Sequence, residues 1–256
     1  MPAARIAAQL WTIRESLKTP EDFAKSMARV REMGYAAVEP CLPAVVSPAE
    51  LRKILDANGL AVCGSHGPWK RVVEDVDGLI ADHQTLGCSF PGTGGIPGDM
   101  RNAEGYRKFA ESVGRAGPKL AKAGMTFIYH NHAAEFAKFD GRTAIEIMAA
   151  AASERLAFEL DVCWVQGGGA DPAQWIRKLG QRVPLIHCKD LGIGKDGKPH
   201  SMPVGHGNLN WPAVLAAARE VGVKWLVVEV EDEHANGDPF ESLRVSIDNL
   251  RKWGAG

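Results

Sequence analysis

Short apolar segments alternate with longer amphipathic segments along the whole chain, and this alternation most constrains the fold. A helix-length segment follows each short one, as in the repeated strand–helix units that build a parallel sheet. Eight such units in 256 residues are typical of an α/β protein with one (β/α)₈ TIM barrel spanning residues 1–256. The predicted strands are Ile6–Leu10, Ala36–Glu39, Leu60–Ser65, Cys88–Phe90, Met125–His130, Ala157–Asp161, Leu185–Lys189 and Trp225–Glu229.

Capping residues and prolines mark where several of the helices begin. A side-chain oxygen before the first turn, with proline inside that turn, favours a helix start. Such starts are predicted at Pro20, Ser47-Pro48, Asp171-Pro172 and Asn210-Trp211-Pro212. The fourth strand–helix unit has the weakest sequence signal. Its strand leads into the glycine-rich stretch 91–98, which we expect to be a long flexible loop.

Composition narrows the class of protein. The formal net charge is −1, whereas proteins that bind nucleic acid carry a basic excess or patch. No apolar run reaches membrane-spanning length, and the first residues lack the long apolar core of a signal peptide. The five cysteines are an odd number without paired metal-binding spacing, so we expect reduced structural thiols. These features predict a cytoplasmic protein with no nucleic-acid or membrane partner.

Four consecutive strands in the second half end in potential metal ligands. His130 and His132 close the first, Asp161 the second, His187 the third and Glu229 the fourth. Each residue alone could instead cap a turn, bond locally or begin a solvated loop. Strands of a parallel barrel end at one rim, where the active site lies, so the four ends should converge. Imidazole and carboxylate ligands suit a divalent ion such as Zn²⁺, Mn²⁺ or Co²⁺.

The segment Tyr129-His130-Asn131-His132 leaves the division of roles open. Alternation along a strand puts His130 and His132 on the same face. One imidazole could therefore bind metal while the other contacts substrate as acid, base or hydrogen-bond donor. The letters H-N-H also suggest a nuclease motif, but that interpretation needs a different local fold and a basic surplus that the chain lacks.

Other residues near predicted strand ends are candidates for substrate binding. Glu39 and His66 follow the second and third strands and could hydrogen-bond to hydroxyl groups. Lys189 could neutralise an enolate or a phosphate, or it could form a surface ion pair with Asp190. Trp164 could offer a flat apolar wall to a sugar ring, although aromatic residues near strand ends are often part of the core.

Four segments resemble the sugar phosphate isomerase/epimerase family of the xylose isomerase-like barrels. They are Tyr129–Phe136, Leu160–Trp164, His187–Asp190 and Gly205–Trp211. The superfamily also holds inosose dehydratases, ketose 3-epimerases and endonuclease IV, and the likeness covers essentially the whole chain. The resemblance implies a TIM barrel with one divalent ion, first of all Mn²⁺ and otherwise Co²⁺ or Zn²⁺, held by strands five to eight.

The resemblance also implies a ligand set. Ketose epimerases use Glu, Asp, His and Glu, and Asp161, His187 and Glu229 match the last three. His130 stands where those enzymes have the first glutamate, as in the inosose dehydratase-like branch. A mechanism in which two metal-bound glutamates exchange a proton symmetrically therefore does not transfer directly to this chain.

The function that the resemblance implies is a metal-dependent sugar isomerase or epimerase. It would remove a proton next to a carbonyl, with Glu229 as the first candidate base and His130 or His132 as the second. The alternative is a metal-dependent lyase, either an inosose-type dehydratase or an enzyme that acts on 3-keto-glycosides.

Two other classes of protein are alternatives to these enzymes. A DNA-repair endonuclease would need more metal ligands and a basic surface, and a non-catalytic sugar-binding protein would bind its ligand equally well without metal. The expected partner is a small sugar or cyclitol. A homo-oligomer is left open, because barrel helices use the same apolar stripes for core and for interfaces.

Overall fold

The computed structural model describes residues 4–231 and 237–256, apart from the side chain of residue 153. The strands in these ranges are β1 (Arg5–Gln9), β2 (Ala37–Glu39), β3 (Ala61–Val62), β4 (Ser65–His66), β5 (Pro91–Thr93), β6 (Phe127–His130), β7 (Lys138–Phe139), β8 (Arg142–Thr143), β9 (Leu156–Asp161), β10 (Leu185–Cys188), β11 (Asp190–Ile193), β12 (Pro199–Met202) and β13 (Trp225–Val228). β7 with β8 and β11 with β12 form two separate antiparallel hairpins.

The remaining nine strands form one parallel sheet in the order β3-β2-β1-β13-β10-β9-β6-β5-β4. β3 and β4 are two pieces of a single barrel strand, interrupted at Cys63 and Gly64. A Cβ atom at Gly64 would lie 2.5 Å from Glu39 Oε1, so any larger residue here would displace the Glu39 carboxylate. A bridge between Cys41 and His66 brings the two ends of the sheet together. The predicted TIM barrel is therefore confirmed.

The helices lie outside this sheet. They are α1 (Pro20–Glu32), α2 (Pro48–Ala57), α3 (Arg71–Glu74), α4 (Val76–Leu86), α5 (Ala103–Lys122), α6 (Ala144–Ala152), α7 (Val162–Gly167), α8 (Pro172–Leu179), α9 (Trp211–Val221) and α10 (Pro239–Lys252). Helices α1, α2, α8 and α9 begin at the four predicted starts. Short 3₁₀ turns cover Leu10–Ser16, Gly98–Met100, Ala133–Phe136, Ser153–Arg155 and Gly180–Arg182. Within the described ranges, no helix is both long enough and apolar enough to cross a bilayer.

The fourth barrel strand differs from the prediction. It covers Pro91–Thr93 instead of Cys88–Phe90, and so it lies inside the stretch predicted to be a flexible loop. Cys88 is still part of the turn that ends α4, because its N–H donates to the carbonyl of His83 at 2.9 Å. The glycine that suggested a loop is required by packing, since a Cβ at Gly92 would lie 2.3 Å from the Ile128 side chain.

The inside of the barrel changes from apolar to polar along its axis. A small apolar cluster fills one layer and includes Ala7, Ala37, Cys63, Ile128, Ala157, Leu185, Trp225 and Val227. Alternate residues of a strand face the same side, so the next inward residues lie two positions further along each strand. Those residues are polar and buried: Gln9, Glu39, His130, Glu159, His187 and Glu229. The apolar layer closes the barrel beneath a polar layer at the carboxyl ends of its strands.

Asp190 ties the loop before α9 to the end of β10. The side chain of this residue is fully buried, and its carboxylate accepts hydrogen bonds from Gly205 N at 2.8 Å, Leu209 N at 3.1 Å and Trp211 Nε1 at 2.7 Å. The alternative prediction of a surface ion pair between Lys189 and Asp190 is wrong. Both side chains are buried, and the Lys189 ammonium pairs with other carboxylates.

We expect Asp190→Ala to lower the free energy of unfolding by about 3 kcal/mol, because it leaves buried donors without their charged acceptor. Asp171→Ala is the matched control. Its carboxylate caps α8 by accepting from Gln174 N at an exposed site, and loss of such a cap costs about 1 kcal/mol. Denaturant unfolding of the two variants measures both values. Equal small losses would contradict a structural role for Asp190.

Candidate metal centre

Four buried side chains converge at the carboxyl ends of β6, β9, β10 and β13. They are His130, Asp161, His187 and Glu229, and each offers one ligand atom within 4.8 Å of the others. His187 Nδ1 lies 3.0 Å from His130 Nε2 and 3.1 Å from Glu229 Oε2. His130 Nε2 lies 3.4 Å from Asp161 Oδ2. The structure thus brings together the four residues predicted as metal ligands, and we call them the rim group.

The spacing of the donor atoms in the rim group suits a divalent ion. Four ligands about 2.1 Å from an ion in a tetrahedral arrangement lie about 3.4 Å from one another. The observed separations of 3.0, 3.1, 3.4 and 3.8 Å scatter about that value. Two imidazoles and two carboxylates form a mixed donor set of the kind that zinc and manganese accept.

A second group, Glu39, His66, Glu159 and His187, lies on the other side of the His187 ring. We call it the inner group. His187 Nε2 is 2.7 Å from Glu39 Oε2, and His66 Nε2 is 2.5 Å from Glu159 Oε2. These separations are those of charge-assisted hydrogen bonds and are too short for neighbouring ligands of one ion. The inner group therefore fits a hydrogen-bonded support better than a metal site.

The inner group fixes the orientation of the His187 ring. Nε2 faces Glu39, so Nδ1 faces Glu229 and His130, and a proton on Nε2 donated to Glu39 would leave Nδ1 as the nitrogen available to an ion. An imidazole held by a carboxylate in this way has a fixed ring orientation and is a stronger ligand. His187 links the two groups, because each of its nitrogens contacts one of them.

The protonation states of His130, Asp161 and Glu229 suit metal binding, whereas Glu159 and Glu229 outweigh burial and raise the pKa of His187, whose proton a bound ion would have to displace. Burial, together with the neighbouring His187, lowers the pKa of His130 to about 3, so its imidazole is neutral. Burial alone would raise the pKa of Asp161 and of Glu229. The Lys189 ammonium, with the nearby histidines, outweighs burial and holds both pKa values below the usual range. A neutral imidazole and ionised carboxylates are the forms that bind metals.

The barrel centre carries buried charges of both signs. The buried carboxylates are Glu39, Glu159, Asp161 and Glu229, and the Lys189 ammonium lies among them. Carboxylates also outweigh burial and raise the pKa values of His66 and His187. Burial and repulsion by Glu159 raise the pKa of Glu39 to about 7, so one of the four carboxyl groups is partly protonated near neutral pH. Among the described residues, the buried atoms without a hydrogen-bond partner include Glu39 Oε1, Glu159 Oε1, Asp161 Oδ2 and His130 Nδ1. An ion held by the rim group would supply positive charge among these carboxylates in place of the His187 proton.

Glu159 is a residue of the candidate site that the sequence pattern did not indicate. It lies inside a predicted apolar strand, two positions before Asp161, and it is fully buried. Its Oε2 contacts His66 at 2.5 Å and His187 at 3.2 Å. The alternation of a β-strand was the available signal, because it puts Glu159 on the same inward face as Asp161.

The remaining predicted site residues occupy two levels. Glu39 is fully buried in the inner group, where Gln9 Nε2 also donates to it at 2.6 Å, and His66 stacks 5.4 Å from the His187 ring. His132 and Trp164 are half-buried, with ring centroids 5.7 Å apart. The Lys189 ammonium lies 5.3 Å from the Trp164 ring. Contact of these residues with substrate stays a prediction.

Glu135 and Asn131 hold the segment that carries the two histidines. Glu135 is buried, and its carboxylate accepts hydrogen bonds from the hydroxyls of Tyr106 and Tyr129 and from the N–H of His132 at 2.7 Å. The side-chain oxygen of Asn131 accepts from Asp161 N at 3.0 Å. This segment and the end of β9 are therefore fixed relative to each other.

We expect Glu159→Gln to weaken Mn²⁺ binding about 10- to 100-fold, because partners that orient a ligating histidine contribute about that much to metal affinity. Electron paramagnetic resonance of free Mn²⁺ measures the affinity. Glu146→Gln is the control, since Glu146 is an acid paired with Lys178 on the helical surface. A loss as large as that from removing a rim-group carboxylate would instead place the ion in the inner group.

Known proteins with a similar sequence cover most of the chain. The model of the xylose isomerase-like TIM barrel family matches residues 27–253. The rhizopine catabolism protein MocC of Rhizobium meliloti is 22% identical, over 90% of this chain and 81% of its own. An inosose dehydratase of Klebsiella pneumoniae is 25% identical, over 76% of this chain and 77% of its own.

Solved structures show the same architecture. A sugar phosphate isomerase/epimerase from Parabacteroides distasonis superposes with a TM-score of 0.84 and 23% identity, covering 98% of this chain and 94% of its own. At that identity the likeness shows a shared fold. The family match covers far more than half of the sequence and confirms the resemblance seen in the motifs. The chain belongs to the xylose isomerase-like TIM barrel family.

Proposed function

We propose that this protein is a divalent-metal-dependent isomerase or epimerase of a sugar or keto-sugar. The observation that carries the proposal is the rim group, in which two imidazoles and two carboxylates converge at the end of the barrel where active sites of this fold lie. The similarity to a sugar phosphate isomerase/epimerase supports the choice of substrate class. Mn²⁺ is the first candidate ion, and Co²⁺ and Zn²⁺ are the others.

His130, Asp161, His187 and Glu229 would hold the ion. When bound, it would supply a Lewis acid for the carbonyl oxygen of a substrate. Glu229 is ionised, because Lys189 and His187 outweigh its burial, and it is the first candidate to accept the proton from the carbon next to the carbonyl. Burial lowers the pKa of His132, so this half-buried imidazole is a neutral second base.

Lys189 and Trp164 would position the substrate at the mouth. The ammonium of Lys189 lies next to two rim carboxylates, where it can attract negative charge that develops on a substrate oxygen. Trp164 is half-buried beside His132, and its ring can pack on the apolar face of a sugar.

A metal-dependent lyase is the second candidate, and His130 favours it. With histidine at this position, Glu229 and Asp161 are the carboxylates of the rim group, and Asp161 is also occupied as the cap of α7. One carboxylate is sufficient for such an elimination: Glu229 would remove the proton next to the carbonyl, and the resulting carboxyl group would return a proton to the β-hydroxyl group, which leaves as water. The similarity to an inosose dehydratase and to MocC supports this candidate.

A panel of ketoses and keto-cyclitols, assayed with metal-stripped protein and added Mn²⁺, tests the proposal. An epimerised or isomerised ketose, detected by chromatography, supports the first candidate. An unsaturated ketone, detected by its ultraviolet absorbance, supports the lyase. Glu229→Gln should abolish either product. Protein that binds none of the three metals and converts no member of the panel would refute both candidates.

A further inference from the structure

The Lys189 side chain is buried among the same carboxylates that would bind the ion. Its ammonium lies 2.7 Å from Glu229 Oε2 and 3.2 Å from Asp161 Oδ2. These two oxygens are also the ones that approach His187 and His130 in the rim group. The Lys189 ammonium therefore supplies positive charge next to the carboxylates of the rim group.

An ion bound by these oxygens would compete with the Lys189 ammonium for the same lone pairs. Two like charges a few ångströms apart in a buried site repel strongly, because water screens them little. The ammonium must then give up at least part of its contact with Asp161 and Glu229 when an ion binds.

Glu231 offers the ammonium another partner. Its Oε1 lies 2.9 Å from Lys189 Nζ, and its side chain is 28% exposed, so it lies closer to solvent than the rim carboxylates do. Glu231 contributes no atom to the rim group. The Trp164 ring, 5.3 Å from Nζ, can also stabilise a cation that moves toward the mouth.

We propose that Lys189 is an internal counter-cation, which neutralises the rim carboxylates in the metal-free protein and keeps Glu231 as its carboxylate partner when a divalent ion binds. The inference rests on the proposed metal site. It predicts that Lys189 stabilises the metal-free fold and weakens metal affinity, two effects that a residue serving only to bind substrate would not produce.

Lys189→Met removes the charge and keeps an unbranched side chain of similar length. We expect metal-stripped Lys189→Met to bind Mn²⁺ at least tenfold more tightly than the wild type in calorimetric titration. Its thermal unfolding without metal should occur at a lower temperature, and Mn²⁺ should raise that temperature more than in the wild type. Lys178→Met, at an exposed lysine paired with Glu146, is the control and should change neither property.

Glu231→Gln tests the other half of the proposal and is less damaging to folding, because the side chain is partly exposed. It should weaken Mn²⁺ binding several-fold, since the displaced ammonium loses the carboxylate partner that an ion leaves to it. If Lys189→Met folds, Mn²⁺ binding that is unchanged or weaker would overturn the inference. If Lys189→Met does not fold, unchanged Mn²⁺ binding by Glu231→Gln would overturn it. A wild type that binds no Mn²⁺, Co²⁺ or Zn²⁺ would instead overturn the proposed function, and the inference with it.

Discussion

Asp161→Asn is expected to weaken Mn²⁺ binding about 10³-fold, since breaking a buried charge pair costs about 3–5 kcal/mol and each 1.4 kcal/mol is a factor of ten. The substitution removes the negative charge of Oδ2, which faces His130 and Lys189. It keeps an oxygen for the other role of the side chain, in which Oδ1 accepts from Trp164 N at 2.9 Å and caps α7. Asparagine is as good a cap as aspartate, so the fold should persist.

Calorimetric titration with Mn²⁺ measures this loss, and circular dichroism checks the fold. Asp196→Asn is the control, because Asp196 is an exposed acid that pairs with His200 on the β11–β12 hairpin. It makes the same change in net charge far from the rim group. Asp161→Asn protein that is folded and binds Mn²⁺ like the wild type would rule out Asp161 as a ligand.

Glu229→Gln is expected to reduce turnover about 10³-fold, within the range of about 10²- to 10⁴-fold that a positioned general base contributes. Glutamine keeps the size and a carbonyl oxygen toward the rim group but cannot accept the substrate proton. Metal affinity should fall as well, because Glu229 is also a proposed ligand. Rates are therefore compared at saturating Mn²⁺, where a residual defect reports the lost base.

Glu220→Gln provides the matched control for this variant. Glu220 forms an exposed ion pair with Arg177. Exposed ion pairs contribute little to stability, so loss of this one should leave turnover within about twofold of the wild type. Recovery of full turnover by Glu229→Gln at high Mn²⁺ would show that Glu229 serves as a ligand alone and that another group, with His132 the first candidate, removes the proton.

The barrel and the rim group were predictable because both depend on local, periodic signals. Strand ends show directly in the sequence as apolar runs that stop at His130, Asp161, His187 or Glu229, and the barrel topology brings such ends to one rim. The strands differ from their predicted bounds by one or a few residues. The exception is Pro91–Thr93, where glycine serves close packing against β6 rather than flexibility.

The inner group was harder to predict because it depends on contacts between distant residues. Glu159 and Glu39 are 120 residues apart in sequence, and only the closed barrel brings both to the His187 ring. Lys189 illustrates the same limit. Its neighbour Asp190 suggested a surface ion pair, but strand alternation turns the lysine inward to Asp161 and the aspartate outward to Trp211. The contacts of these residues depend on which strands are neighbours in the barrel, and the spacing of residues along the sequence does not show this.

Exchange of substrate hydrogen for solvent deuterium would show whether this site removes a proton with the help of a metal. A ketose or keto-cyclitol is incubated with the protein in D₂O, with Mn²⁺ or with a chelator, and followed by proton NMR. We expect loss of the proton on the carbon next to the carbonyl, dependent on Mn²⁺ and abolished in Glu229→Gln. Product formation with no deuterium at that carbon, or exchange that persists fully in the chelator, would contradict metal-dependent proton abstraction at this site.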